Sequence, residues 1–339
     1  MIIIDGSEGE GGGQVLRTAL SLALLTGRAF RMENIRANRS RTGVMRQHVT
    51  AVEAACAIGG AECEELKVGA SELVFTPGKV KSGEHRFAVG TAGSTSLVLQ
   101  TLLPPLMLAD SPSRLVLEGG THNIHAPPFD FIDRVFLPLI NLMGPRVSAR
   151  LVRPGFYPAG GGQIEVDIEP VARLGRLDLL DRGDRRRVEA RALITGIPGE
   201  IAVREIATVR KVLGWGEESC RVVQLPQEVG PGNILLLEAE FEGLTEIVSG
   251  FGKLGVPAET VAQKAAKRMA GYLASDAVAG PYLADQLLLP MALAGGGSFT
   301  TVKPSLHSRT AAEVIARFLV VAIRFEPLDN GVHKVIVES

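Results

Sequence analysis

Residues 2–17 read Ile2-Ile3-Ile4-Asp5-Gly6-Ser7-Glu8-Gly9-Glu10-Gly11-Gly12-Gly13-Gln14-Val15-Leu16-Arg17. A β-branched run feeds a glycine-rich turn, and an apolar stretch reaching Leu25 follows it. The order predicts strand, turn, helix. Consecutive glycines allow backbone N–H groups to approach an anion, and the helix behind them adds its positive end. Glu10 places a carboxylate inside the loop, and one carboxylate plus phosphate oxygens is a common way to hold Mg²⁺. Gln14 and Arg17 fall on the first helical turn. The loop is neither a Walker A motif nor G-x-G-x-x-G, so on its own it reads equally well as a tight strand–helix connection.

The arrangement recurs along the chain. Arg86 to Val89 runs into Gly90-Thr91-Ala92-Gly93-Ser94 and then Thr95 to Leu103. Ala159-Gly160-Gly161-Gly162-Gln163 precedes the alternating Ile164, Val166 and Ile168, and Gly295-Gly296-Gly297 precedes Phe299 to Val302. Both patterns predict strands after the glycines. The likeness between copies is architectural, and it implies duplicated α/β units. Amphipathic helices are expected over Val44 to Ile58, ended by Gly59-Gly60, and over Phe129 to Leu142 behind Pro127-Pro128. The stretch from Asp178 opens with a charged junction and has its own strands (Val188 to Thr195, Ile234 to Phe241) and helices (Val203 to Leu213, Pro257 to Tyr272). It reads as an inserted α/β domain over 179–274, leaving 1–178 and 275–339 as the main domain.

Bulk properties narrow the classes. The 339 residues are 46% hydrophobic and 22% charged, with net charge −1. A disordered chain and a generally cationic nucleic-acid coat are therefore excluded. Aromatics are 5%, too few for a broad base-stacking surface. Cys56, Cys63 and Cys220 form no CxxC, which argues against a disulfide framework or cysteine zinc site. With no signal-like start and no membrane-length apolar run, the expectation is a reduced, cytoplasmic protein.

Three clusters could carry chemistry. Arg36, Arg39, Arg41 and Arg46 lie in one short stretch without an acidic neighbour, which suits a phosphate-bearing chain. His48, next to it, reads by itself as a packed or capping helix residue. His307 follows Pro304-Ser305, and Thr310 to Glu313 forms a capping-box pattern expected to open a helix over 311–318. That would put His307 on the turn before a helix, where the dipole favours neutral imidazole. Tyr282, Asp285 and Gln286 precede an apolar run and offer an aromatic ring, a carboxylate and an amide. His122 and His125 are expected to lack an acidic partner, and His85 and His333 look like surface residues.

Together these residues resemble the RNA 3′-terminal phosphate cyclase family. The resemblance spans nearly the whole chain and includes Asp5-Gly6, Glu8 to Gln14 with Arg17, and Arg46-Gln47-His48. It continues through Gly90 to Ser94 with Gln100, Ala126-Pro127-Pro128, Gly155-Phe156-Tyr157-Pro158-Ala159-Gly160-Gly161-Gly162, Tyr282 to Gln286, and Pro304-Ser305 with His307. It implies an α/β (α+β) main domain of repeated βαβαββ units, as in enolpyruvyl transferases, with a smaller inserted α/β domain. It also implies ATP-dependent conversion of an RNA 3′-phosphate to a 2′,3′-cyclic phosphodiester, with Mg²⁺ or Mn²⁺.

Residue by residue, His307 matches the histidine that becomes adenylylated and Glu10 the metal-linked acid. Gln14, Gln100, Pro127, Tyr282, Asp285 and Gln286 match nucleotide-site positions. Arg17, Arg36, Arg39, Arg46 and His48 are candidates for the RNA phosphates. The partners implied are RNA with a 3′-phosphate end and ATP, and no membrane. Pro154 stands where the signature usually has a basic residue, with Arg153 one step earlier, and His122 and His125 are also unusual. Two other readings remain: a non-catalytic RNA-binding relative, against which His307 argues, and an enolpyruvyl-type transferase on the same fold.

Overall fold

The computed structural model describes residues 1–226 and 230–339. The first unit runs β1 (Ile2–Asp5), α1 (Gly13–Thr26), β2 (Phe30–Glu33), α2 (Arg46–Gly59), β3 (Glu62–Cys63) and β4 (Leu73–Thr76). The second runs β5 (Gly83–Ala88), α3 (Thr95–Met107), β6 (Ser113–Gly119), α4 (Phe129–Phe131), α5 (Leu137–Leu142), β7 (Arg146–Arg153) and β8 (Gly162–Glu169). A π-helical turn, Ile132–Phe136, joins α4 to α5, so the helix expected over 129–142 is continuous but locally wider.

A third unit starts at β9 (Leu177–Leu179), and the chain then departs. It builds β10 (Arg185–Thr195), α6 (Glu200–Leu213), β11 (Cys220–Gln224), β12 (Gly232–Phe241), β13 (Thr245–Phe251) and α7 (Ala258–Leu273). The third unit resumes with α8 (Pro281–Leu293), β14 (Gly296–Thr301), α9 (Leu306–Phe318), β15 (Ala322–Pro327) and β16 (His333–Glu338).

The three units share one topology. Sheet orders are β1-β2-β4-β3, β5-β6-β8-β7 and β9-β14-β16-β15. In each, the first pair is parallel and the next two pairs are antiparallel. A parallel pair needs a crossover, supplied by α1, α3 and α8 respectively. The protein is thus of the expected α/β class, and its repeat is βαβαββ.

The helices meet on one another. α1 packs against α2, α3 and α9, and α8 packs against α9. α3 is buried along almost its whole length, which fits its near-uniform apolar sequence. One core runs through all three units. A second, separate core joins α6 and α7 to the sheet β11-β10-β12-β13, through Ala190, Leu235, Leu237, Ala262 and Met269. Residues 227–229 of the expected insert lie outside the described residues. Among those described, no helix is long and apolar enough to cross a membrane.

Helix α9 starts earlier than its capping-box pattern suggests. Ser305 is the N-cap and accepts from the Ser308 N–H at 3.0 Å. His307 therefore lies within the first helical turn. Thr310 is drawn elsewhere: buried, it accepts the Glu10 N–H at 2.9 Å and tethers the first glycine loop.

Candidate active site

Helix packing brings the starts of α1, α8 and α9 together. On α9, His307 is half-exposed, and its Nδ1 lies 2.7 Å from Gln14 Oε1 on α1. An amide oxygen only accepts, so Nδ1 carries the proton and Nε2 keeps its lone pair. Burial, then Arg39 and Arg17, holds the imidazole below its ordinary value. The helix N-terminus also disfavours the cation. The side chain is therefore set up as a neutral nucleophile with one defined tautomer.

Asp285 locks the start of α9 to α8. It accepts from the Ser305 hydroxyl at 2.8 Å and from the Ser308 hydroxyl. Burial pushes its carboxyl up to about 6, against the opposing pull of the two hydroxyls. One residue on, Gln286 accepts from Gln100 Nε2 at 3.1 Å, tying α8 to α3. Tyr282, at the start of α8, is 50% exposed, and its hydroxyl takes a 3.1 Å hydrogen bond from Arg268 of α7. That bond joins the nucleotide-site candidate to the second core.

The glycine loop gathers positive charge. The Arg17 guanidinium is enclosed near Gly13 and His48, and its pKa is pressed to about 10, by burial first and then by Arg36. Among the described residues no acidic group offsets it. His48 is buried, and its Nδ1 accepts the Met45 N–H at 2.9 Å, capping α2 as its local pattern suggested. Burial, Arg17 and Arg36 drive it down to about 3, so it is a neutral packing and capping group. A Cβ on Gly13 would come within 2.2 Å of His48 Nε2, so only glycine lets α1 start this close. Uncompensated cations beside a helix N-terminus form an anion site.

Glu10 sits between these groups. Its side chain is 10% exposed, Oε2 lies 3.7 Å from His307 Nδ1, and Arg39 pairs with Oε1. Oε2 is buried without a hydrogen-bond partner. Among the described residues no three His, Cys, Asp or Glu side chains gather as a metal cage. A cation here would rest on Glu10 and on ligand oxygens, the usual manner for Mg²⁺.

A family model described as RNA 3′-terminal phosphate cyclase matches residues 8–325. The chain belongs to that family. It is also similar to a protein of Koribacter versatilis (strain Ellin345) named RNA 3′-terminal phosphate cyclase, with 54% identity over 330 residues, covering 97% of this chain and 93% of that protein. The matched span holds the whole His307 cluster.

Within this cyclase-family chain, the remaining candidates stand further out. Arg36 folds back on its own loop, donating to Gly43 O and Arg41 O at 3.0 Å each. Exposed Arg46 leans over the second glycine loop, its Nε 3.4 Å from Val89 O. Pro127 is half-buried in the loop before α4. None of these three bonds to the His307 cluster among the described residues.

Sequence reasoning missed Ser308 and Arg268, and it named Ser305 and Thr310 without the partners they have here, because those roles depend on contacts between elements far apart in the chain. It was also wrong about His122. That histidine does have an acidic partner: Nε2–H donates to Asp130 Oδ2 at 3.0 Å, and both are buried. Arg191 of β10 meets the other Asp130 oxygen at 2.8 Å, and Nδ1 lies 2.8 Å from Thr121 Oγ1. Thr121 Oγ1 in turn accepts the Gly155 N–H at 2.9 Å. A polar chain thus links the second core's sheet to the Gly155–Gly162 signature loop. Its only sequence signal was an aspartate eight positions downstream.

Proposed function

We propose that the protein converts an RNA 3′-terminal phosphate to a 2′,3′-cyclic phosphodiester with ATP, through adenylylation of His307. The observation carrying this reading is the 2.7 Å bond from His307 Nδ1 to Gln14 Oε1, which leaves Nε2 unprotonated beside a cationic, helix-start anion site.

His307 Nε2 attacks the ATP α-phosphorus; an N–P bond forms and the bond to pyrophosphate breaks. An RNA 3′-phosphate oxygen then attacks that phosphorus, the N–P bond breaks, and RNA(3′)pp(5′)A results. Lastly the 2′-OH loses its proton and attacks the 3′-phosphorus, expelling AMP. This step is intramolecular, so positioning supplies much of its rate. A bare monoester has no good leaving group for ring closure, and adenylylation provides one.

In this reading Tyr282 and Pro127 enclose the adenine, while Gln100, Asp285 and Gln286 hold the nucleoside side of the pocket. Arg17, Arg36, Arg39 and Arg46 meet phosphates, and His48 supports Arg17 from behind. Glu10 would hold Mg²⁺ or Mn²⁺, which suits its unpartnered Oε2. Such an ion supplies charge neutralisation at the phosphates when bound. Residues 179–274 act as an inserted domain with a core of their own. The free thiols of Cys56, Cys63 and Cys220 suit a reducing cytoplasm.

The test is incubation with α-labelled ATP and Mg²⁺. Acid-labile label stays on the wild-type chain and is absent from His307→Ala. Label retained by that variant would overturn the assignment of the nucleophile.

A further inference from the structure

We propose that Arg39 is a movable counter-ion that couples divalent-cation binding at Glu10 to capture of the RNA 3′-terminal phosphate. The inference rests on the reading of Glu10 as the metal-holding residue. Its basis is a contact between two residues that this reading assigns to different ligands. The Arg39 guanidinium pairs with Glu10 Oε1 and also donates to the Glu10 carbonyl at 2.9 Å. While it does so, the carboxylate is neutralised, and an arriving cation meets a like charge.

The pairing is incomplete on both sides. Glu10 Oε2 and Arg39 Nε are each buried without a hydrogen-bond partner. Each group therefore retains an unmet bonding direction, which a cation and an anion respectively would satisfy. The surroundings favour that exchange. Arg17 is enclosed beside the glycine loop and acts on His307 together with Arg39, so a phosphate oxygen is a better partner for Arg39 than Glu10 is once a cation sits on Glu10.

The loop allows the movement. Arg39 follows β2, and its neighbours are pinned: Asn38 Nδ2 donates to Ser7 O at 3.1 Å, and Arg36 grips Gly43 O and Arg41 O. The backbone at 39 is thus held close to the glycine loop. The side chain, 39% exposed, is free to turn from the carboxylate toward a ligand in the same pocket. Cation binding frees the guanidinium fork for phosphate, and phosphate binding uncovers the carboxylate for the cation. Thermodynamic linkage requires both directions to have equal strength.

The experiment measures Mn²⁺ binding to the full-length protein by electron paramagnetic resonance, without ATP so that no turnover occurs. It compares no RNA, a short RNA ending in a 3′-phosphate, and the same RNA ending in a 3′-hydroxyl. In the wild type, the 3′-phosphate RNA tightens Mn²⁺ binding about tenfold, and the 3′-hydroxyl RNA does not. Arg39→Gln binds Mn²⁺ more tightly than wild type without RNA, and its RNA enhancement falls below about twofold. Arg39→Lys, which keeps a point charge, retains weak Mn²⁺ binding without RNA. Unchanged Mn²⁺ affinity and undiminished enhancement in Arg39→Gln, with binding lost in Glu10→Gln, would overturn the coupling alone. Mn²⁺ binding that survives Glu10→Gln would instead overturn the metal reading beneath it.

Discussion

Gln14 and His307 stand 293 residues apart in the chain, yet their side chains meet at 2.7 Å. Oε1 of the glutamine accepts, so the imidazole proton is fixed on Nδ1 and Nε2 is the reactive nitrogen. The contact spans the first and third repeats and depends on α1 packing against α9. One hydrogen bond thereby sets both the tautomer and the ring direction.

Replacing Gln14 tests that role. Gln14→Ala leaves the α1 core face intact but frees the ring to rotate and exchange tautomers. The rate of label transfer from ATP to His307 should fall about 10²-fold, the usual cost of a misdirected reacting group. Gln14→Glu keeps an acceptor, so it should retain the tautomer but favour imidazolium and shift the pH profile upward. Single-turnover labelling across pH separates the two effects; equal rates in Gln14→Ala and wild type would show that the contact does not orient the nucleophile.

The pH dependence of labelling has a definite sign. Burial, Arg39 and Arg17 lower the His307 pKa below 6.5. The nucleophile is the neutral form, so the rate should rise with pH, reach half its plateau below pH 6.5, and stay flat through neutrality. Removing one cation, as in Arg39→Gln, should move the midpoint upward. The same shift gives a stability term: below pH 6.5 the unfolded chain takes up this proton more readily, so stability falls as pH falls.

The repeated units were legible because their signals are local. A short strand segment, a glycine cluster and an apolar helix at 2–25 and again at 86–103 depend only on neighbouring residues. The start of α9 was less so: the capping-box pattern pointed to Thr310, whereas Ser305 caps the helix and the Thr310 hydroxyl accepts from the Glu10 N–H, a contact 300 residues away in the chain. The resemblance pointed to Gln14, Glu10 and His307, and the arginine cluster to Arg39, but neither said which of them bond. Those pairings come from packing between repeats, which no spacing encodes. His122 and Asp130 escaped for a related reason: they face one another across a loop with no helical or strand period.

The signature loop should tolerate no side chain where its strands cross. A Cβ on Gly162 would lie 2.7 Å from Gly155 N and 2.8 Å from Gly119 O, backbone atoms that cannot swing aside. Gly162→Ala should cost about 3 kcal/mol or more in urea unfolding, the upper range for overpacking. Gly161→Ala is the control: φ there is +70° but nothing lies within 4 Å, so the cost should be only the left-handed penalty of about 1–2 kcal/mol. Equal losses in the two variants would mean that crowding is not the constraint.

Glu246 offers a stability test at the approach to the nucleotide-site helix. Its buried carboxylate accepts the Gly280 N–H at 2.7 Å and the Ile247 N–H at 3.1 Å, just before α8 begins. Burial raises its pKa from 4.5 to about 7, more than those bonds lower it. The folded state therefore binds this proton more tightly than the unfolded chain. Its stabilisation is complete at low pH, declines as pH rises from 4.5, and is gone above about 7. Glu246→Gln removes the charge but keeps only one of the two acceptors, its NH2 facing the other N–H donor at a cost that does not vary with pH, so the test is the change in the stability difference between the two pH values. Relative to wild type, the variant should be about 3 kcal/mol better off at pH 8.5 than at pH 4.5. Urea unfolding at both pH values reads it, and a stability difference that does not change with pH would mean that the carboxylate is not the titrating group.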